Sequence, residues 1–307
     1  MRISIIYRNE ISALDQGITN FPNYNEAMTL EPHQIEIIGY CASLLIGVSL
    51  GLIGGGGSIL TVPVLVYLFG VNPVLATAYS LFVVGASSLV GAIPKYQQGL
   101  INIKTAVIFG IPSIAAVYAT RKFIVPLIPA EVFTVGEFVV TKSILMMVLF
   151  AILMVSASIS MIRGKCEQCE KEKLGTYVEE EQVFNYPMIL IEGAVVGTLT
   201  GLVGAGGGFL IIPALVMLSK LSMKQAIGTS LLIIAAKSLI GFTGDLGHQI
   251  IDWKLLLTVT GLAIIGIFFG DMLSKKVDGD KLKVGFGWFV LVMGIYILIQ
   301  QLAFPMK

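Results

Sequence analysis

Runs of about 20 residues almost free of charge recur along the chain from near Gln34 to near Gln300. At 1.5 Å per residue, each is long enough to cross ~30 Å of hydrocarbon as a helix. A water-soluble domain of this size has no interior large enough to hide them all. Of 307 residues, 56% are apolar and 13% charged, with a mean hydropathy of +0.89, whereas an average soluble domain has about 25% charged residues. The 34 glycines suit helices whose backbones approach closely in a membrane. The formal net charge is +1 with no basic stripe, so the electrostatic footprint of a nucleic-acid binder is missing. Three cysteines, an odd number, do not make an extracellular disulfide framework. The first 34 residues carry Arg2 and Arg8 but no apolar core followed by a small-residue cleavage site, so no cleaved signal peptide is expected.

The chain also repeats itself. A shift of 150 positions aligns GLIGGGGSILTVPVLVYL, from Gly51, with GLVGAGGGFLIIPALVML, from Gly201. Across Gly51 to Lys104, 19 of 54 positions are identical to their partners, including Gly54/Gly204, Gly56/Gly206, Gly57/Gly207, Pro63/Pro213, Ser80/Ser230, Ser88/Ser238 and Gly91/Gly241. Upstream, Ser43, Gly47 and Gly51 match Gly193, Gly197 and Gly201. Small residues at every fourth position line one helix face and favour close helix packing.

With charged or Gly/Pro interruptions taken as ends, apolar segments fall at 35–54, 58–70, 74–93, 104–124 and 138–162, then at 187–204, 208–219, 224–243, 254–273 and 283–302. The expected fold is an all-α integral membrane protein of about ten transmembrane helices. It divides into an N-terminal segment 1–34, a first five-helix repeat 35–162, a linker 163–186 and a second repeat 187–307. Five crossings per repeat is odd, so the second copy enters from the opposite side, giving the inverted repeat many transporters use. Placing the linker in the cytoplasm puts twelve Lys and Arg inside and seven outside, which predicts a multi-pass protein of the cell membrane with both termini outside.

The second segment of each half is short and begins at a glycine cluster: Gly54, Gly55, Gly56 and Gly57 in one copy, Gly204, Gly206, Gly207 and Gly208 in the other. Interrupted short helices at matching places are the best sequence pointer to a transporter's site. A helix start leaves about four unpaired N–H groups and a partial positive charge, and glycine lets a ligand approach the backbone. Helix starts near Ser58 and Phe209 therefore suit an anion, with the Ser58 hydroxyl a further donor. Glycine clusters also occur where helices merely cross closely. Neither cluster is a Walker A loop or a dinucleotide fingerprint, and no cofactor is expected.

Lys237, amid SLLIIAAKSLIGF, costs at least ~2.5 kcal/mol in mid-membrane unless it faces a wet cavity or a partner. It either snorkels to a helix end or serves an anion pathway. Its repeat partner is Ser87. The paired hydroxyls Ser80/Ser230 and Ser88/Ser238, with Thr229 and Asn72 as weaker candidates, can donate to an oxyanion or bond their own backbone. Glu192 and Asp271 read as interfacial carboxylates, or as carriers of a coupling proton. His248 and Asp245 lie in a loop without a metal-binding cluster, so no metal site is expected. Cys166 and Cys169 form Cys-x-x-Cys in RGKCEQCEKEK, half of a tetrahedral zinc site that a homodimer could complete. The pair also suits dithiol redox chemistry or sulfur capture, with Lys165 and Lys171 favouring thiolate. Cys41 reads as a small apolar residue.

The doubled G-L-x-G-x-G-G-x-x-x-x-x-P pattern, at Gly51 to Pro63 and Gly201 to Pro213, resembles the TauE/SafE sulfite exporter family, also called toluene sulfonate uptake permeases, over roughly 35 to 302. The resemblance implies a secondary carrier, not an enzyme, for a small sulfur oxyanion or organosulfonate (sulfite, sulfonate or thiosulfate class), with the glycine turns as pocket elements. The competing reading is an integral membrane thiol enzyme acting through Cys166 and Cys169.

Overall fold

The computed structural model describes residues 32–129, 131–135, 138–163, 186–204, 206–217, 221–246, 251–274 and 279–303. Helix α1 (Pro32–Ile53) ends at Gly54, whose φ of +70° is a conformation that glycine adopts without a Cβ clash. A tight 3-10 stretch (Gly54–Leu60) then runs directly into α2 (Thr61–Tyr67). Helix α3 (Pro73–Gln97) starts at the cap Asn72, whose side chain accepts from Val74 N–H, with Pro73 pre-set for the first turn. Asn102 caps α4 (Ile103–Ala119), which continues through a π turn (Thr120–Ile124) into the single turn α5 (Val125–Leu127). An antiparallel hairpin, β1 (Glu131–Val135) with β2 (Phe138–Thr141), precedes α6 (Lys142–Arg163). The second half holds α7 (Tyr186–Val203), α8 (Gly208–Met217), α9 (Met223–Thr243), α10 (Trp253–Ser274) and α11 (Gly279–Ala303).

This is the helical membrane architecture the apolar runs imply. Among the described residues six helices are long and apolar enough to cross a membrane, and shorter apolar helices accompany them. Two local expectations shift. The first short segment winds from Gly54, four residues before Ser58. The segment expected at 138–162 becomes helical only at Lys142, because Val, Phe and Thr around Glu131–Thr141 favour extended backbone. Among the described residues that hairpin departs from an all-α chain.

Helices α3 and α9 form the centre: 67% of each span is buried, against 39% for α1, α4 and α10. They cross antiparallel, since Gly91 faces Leu231, Gly85 faces Leu239 and Gly241 faces Leu81. Around them the small residues pack as anticipated. Gly47 and Gly51 of α1 lie on the backbone of Ala263, Ile267 and Gly270 in α10, while Gly193, Gly197 and Gly201 of α7 lie on Phe109, Ser113 and Thr120 in and after α4. The first helix of each half thus packs on the fourth helix of the other, so the halves interlace. Outward faces carry Leu45, Ile111, Ile191, Leu257, Phe268 and Val292, an apolar exterior suited to lipid.

The contacts obey the 150-residue offset in exchange. Gly47 on Ala263 is answered by Gly197 on Ser113, and Gly91 on Ile267 by Gly241 on Val117. Asn102 N–H donates to Thr229 Oγ1 at 2.9 Å, and Asp252 N–H donates to the Tyr79 hydroxyl. After each short helix, Val71 N–H donates to Leu65 C=O and Leu221 N–H to Leu215 C=O, the same closure six positions back in both copies.

Candidate functional site

The two glycine turns meet at the α3/α9 crossing. A Cβ on Gly55 would overlap the Cα of Gly208, and one on Gly208 would overlap the backbone of Gly55. Gly55 also lies against Ile234, and Gly206 against Val84 and Ile234. Close packing is therefore one role of these glycines. Both α1 and α7 exit through a left-handed glycine, Gly54 at +70° and Gly204 at +75°, but the copies then diverge. Gly206 (+66°) and Gly207 (+64°) are again left-handed and swing the chain into α8, whereas the first copy coils straight on. In that copy Gly57 rests on Ser49 and Leu50 of α1.

Lys237 completes this centre. Its side chain is fully buried, and Nζ donates to Thr200 Oγ1 at 3.2 Å rather than reaching a helix end. The Thr200 hydroxyl donates onward to Val196 C=O at 2.6 Å. A Cβ on Gly207 would stand 2.8 Å from Nζ, so the ammonium borders the turn that opens α8. Among the described residues no carboxylate lies within ion-pair distance of Lys237. An ammonium has three donors, and Thr200 takes one. The start of α8 adds a partial positive charge; Leu210 and Ile211 N–H already donate to Gly207 C=O, which leaves the amides of Gly208 and Phe209 as the first-turn donors beyond the helix's own ladder. A buried lysine and a helix start thus converge where no carboxylate among the described residues lies within ion-pair distance.

The hydroxyls divide. Ser58 donates to Gly55 C=O at 2.7 Å and Ser230 to Ile227 C=O at 2.8 Å, so both protons are engaged within their own segments. Ser80, Ser88 and Ser238 are buried without a hydrogen-bond partner among the described residues. Thr229 accepts from Asn102, and Asn72 is a helix cap. Asp271 pairs with Lys95 at 2.7 Å. Glu192 is half-buried, its Oε2 without a hydrogen bond among the described residues. Cys41 is exposed on α1. Cys166, Cys169 and His248 lie outside the described residues.

Sequence reasoning passed over Thr200, Thr77 and Arg121. Arg121 sits in the π turn, fully buried, with Nη1 donating to Thr77 Oγ1 at 2.9 Å and standing 3.4 Å from Asp245 Oδ2. A signal for it existed: the 150-residue offset sets Arg121 opposite Asp271 and Lys95 opposite Asp245.

Apolar spans wrapped around two short helices that meet beside a buried lysine define a helical membrane protein of the transporter class. Residues 40–297 match the family Sulfite exporter TauE/SafE, and the chain belongs to that family of membrane transporters. A "Probable membrane transporter protein" of Xylella fastidiosa (strain 9a5c) is 30% identical over 262 residues, covering 84% of this chain and 93% of that protein. "Probable membrane transporter protein YdhB" of Bacillus subtilis (strain 168) is 24% identical over 258 residues, covering 83% and 96%. No solved structure matches the chain significantly.

Proposed function

We propose that the protein is a secondary carrier for a small sulfur-containing anion of the sulfite, sulfonate or thiosulfate class. The observation that carries this reading is Lys237, a lysine buried at the turn before α8 with one hydroxyl acceptor and, among the described residues, no carboxylate in ion-pair reach. An isolated buried charge is costly, and an oxyanion seated against Nζ and the first amides of α8 supplies the missing counter-charge. Gly54 to Gly57 and Gly204 to Gly208 shape the turns around it, and Ser80, Ser88 and Ser238 are the hydroxyls with capacity to spare.

The carrier is built as two inverted repeats, 35–162 and 187–307. Supporting this are the reciprocal contacts at the 150-residue offset and the antiparallel crossing of α3 with α9, which are the same helix in each copy. Both termini face out, the 163–186 linker lies in the cytoplasm, and the halves rock about the central site. With no nucleotide motif in the sequence, an ion gradient, the membrane potential or the substrate's own gradient drives transport.

The test is flux in liposomes containing purified protein, comparing sulfite, thiosulfate and a simple sulfonate with chloride and acetate controls, with and without a proton gradient. Selective movement of one sulfur anion, lost in Lys237→Met, is expected. Indifference to all three in folded protein would reject the substrate class.

A further inference from the structure

We propose that the ion pairs Lys95–Asp271 and Arg121–Asp245 are the two gates of the carrier, each closing the route to the Lys237 site from one face of the membrane; the proposal rests on the carrier reading. The pairs are a single contact made twice. At the 150-residue offset Lys95 becomes Asp245 and Arg121 becomes Asp271, so cation and anion have traded places between copies while the contact persists. Lys95 Nζ stands 2.7 Å from Asp271 Oδ1, and Arg121 Nη1 stands 3.4 Å from Asp245 Oδ2.

Their placement follows from the antiparallel centre. Lys95 is in the last turn of α3, beside Gly228 near the start of α9. Arg121 bonds Thr77 near the start of α3, and its partner Asp245 follows the end of α9. The two pairs therefore cap opposite ends of the crossing. Thr77 and Lys95 are 18 residues apart in one helix, about 27 Å at 1.5 Å per residue, close to the ~30 Å of hydrocarbon. Val84, Ile234, Gly55, Gly206 and Lys237 lie between them, while Gly204, where α7 ends, rests directly on Thr77 and Arg121.

Burial argues against a merely stabilising role. The side chains are 12% and 14% exposed in one pair and 0% and 8% in the other, and at such burial desolvation offsets most of the Coulomb attraction, so an apolar pair serves stability as well or better. What an ion pair offers instead is two alternative states: closed and dry, or parted with each charge in water. Each pair also joins the fourth helix of one half to the central helix of the other, so any movement between the halves acts on both pairs. Arg121 sits in a π turn, an irregularity often found at functional sites. A latch at each face lets one side open while the other stays closed, as alternating access requires.

The experiment reads accessibility rather than flux. In a background of Cys41→Ala, Cys166→Ser and Cys169→Ser, Val84→Cys reports on the centre, labelled by a membrane-impermeant maleimide in right-side-out and inside-out vesicles. Asp271→Asn should raise the labelling rate about tenfold from one face only, and Asp245→Asn from the opposite face only. Exchanging charges, Lys95→Asp with Asp271→Lys, should restore the slow labelling. Equal effects of both single variants on one face, or no effect of either in folded protein, overturn the gates. If a single variant fails to fold, the charge-exchanged pair decides: slow labelling from both faces supports the gates, fast labelling overturns them. Because labelling needs no substrate, side-selective opening in protein that moves no sulfur anion would sink the substrate reading and leave the gates standing.

Discussion

Replacing Lys237 by Met separates a ligand-binding lysine from a structural one, because the two roles predict opposite signs. Lysine at the centre of a membrane helix costs ~2.5–3.5 kcal/mol on insertion scales, and its charge-assisted hydrogen bond to Thr200 returns ~1.5–3 kcal/mol. Methionine of similar length removes both. It orphans no donor, since the Thr200 hydroxyl keeps its bond to Val196 C=O. The empty variant should therefore be as stable as the parent or more so, by about 1 kcal/mol. Binding moves the other way: losing a charged hydrogen-bond donor costs ~1.5–3 kcal/mol, about 10- to 100-fold in Kd. At an anion concentration of about 100 Kd the parent gains ~2.7 kcal/mol from ligand, whereas a variant about 30-fold weaker gains under ~1 kcal/mol. Thermal unfolding in detergent, with and without sulfite or thiosulfate, reads both quantities. An empty variant clearly less stable than the parent, yet still stabilised normally by the anion, would refute the argument.

Three further outcomes are expected. Thr200→Val should leave the Lys237 ammonium without its acceptor and alter anion affinity by about 5- to 10-fold, roughly a 1 kcal/mol effect, as read by isothermal titration. Gly55→Leu and Gly208→Leu should lower the yield of folded protein, because either side chain must occupy the opposite backbone; size-exclusion profiles after extraction report this, and a well-folded variant would contradict the contact. Cys166→Ser with Cys169→Ser should leave liposome flux unchanged, whereas lost flux alongside thiol turnover would favour the enzyme reading.

Much of the architecture was legible because lipid imposes a coarse grammar: length and apolarity set helices such as α3 and α10, and polar caps such as Asn102 set their starts. The hairpin was not, since a short Val/Phe/Thr run has no period that distinguishes strand from buried helix. At the site, the repeat predicted that the Gly55 and Gly208 turns would correspond, but nothing local showed that they touch. Lys237 announced itself by the cost of its position. Arg121 did not, because a cation near the end of an apolar run normally reaches the interface; its burial depends on Asp245, 124 residues away. Ser58 and Ser230 could serve a ligand or their own backbone on sequence alone, and both donate to the backbone here, as helical hydroxyls commonly do.

The seat opposite Lys237 is occupied by Ser87, whose hydroxyl donates to Val83 C=O at 2.7 Å. A doubled scaffold has thus acquired an odd charge, and its stoichiometry follows the charge rather than the scaffold. One chain should load a single anion per cycle, so calorimetric titration should saturate at one equivalent per protomer. Unless a counter-ion travels along, each turnover shifts net charge across the bilayer and becomes measurable as current.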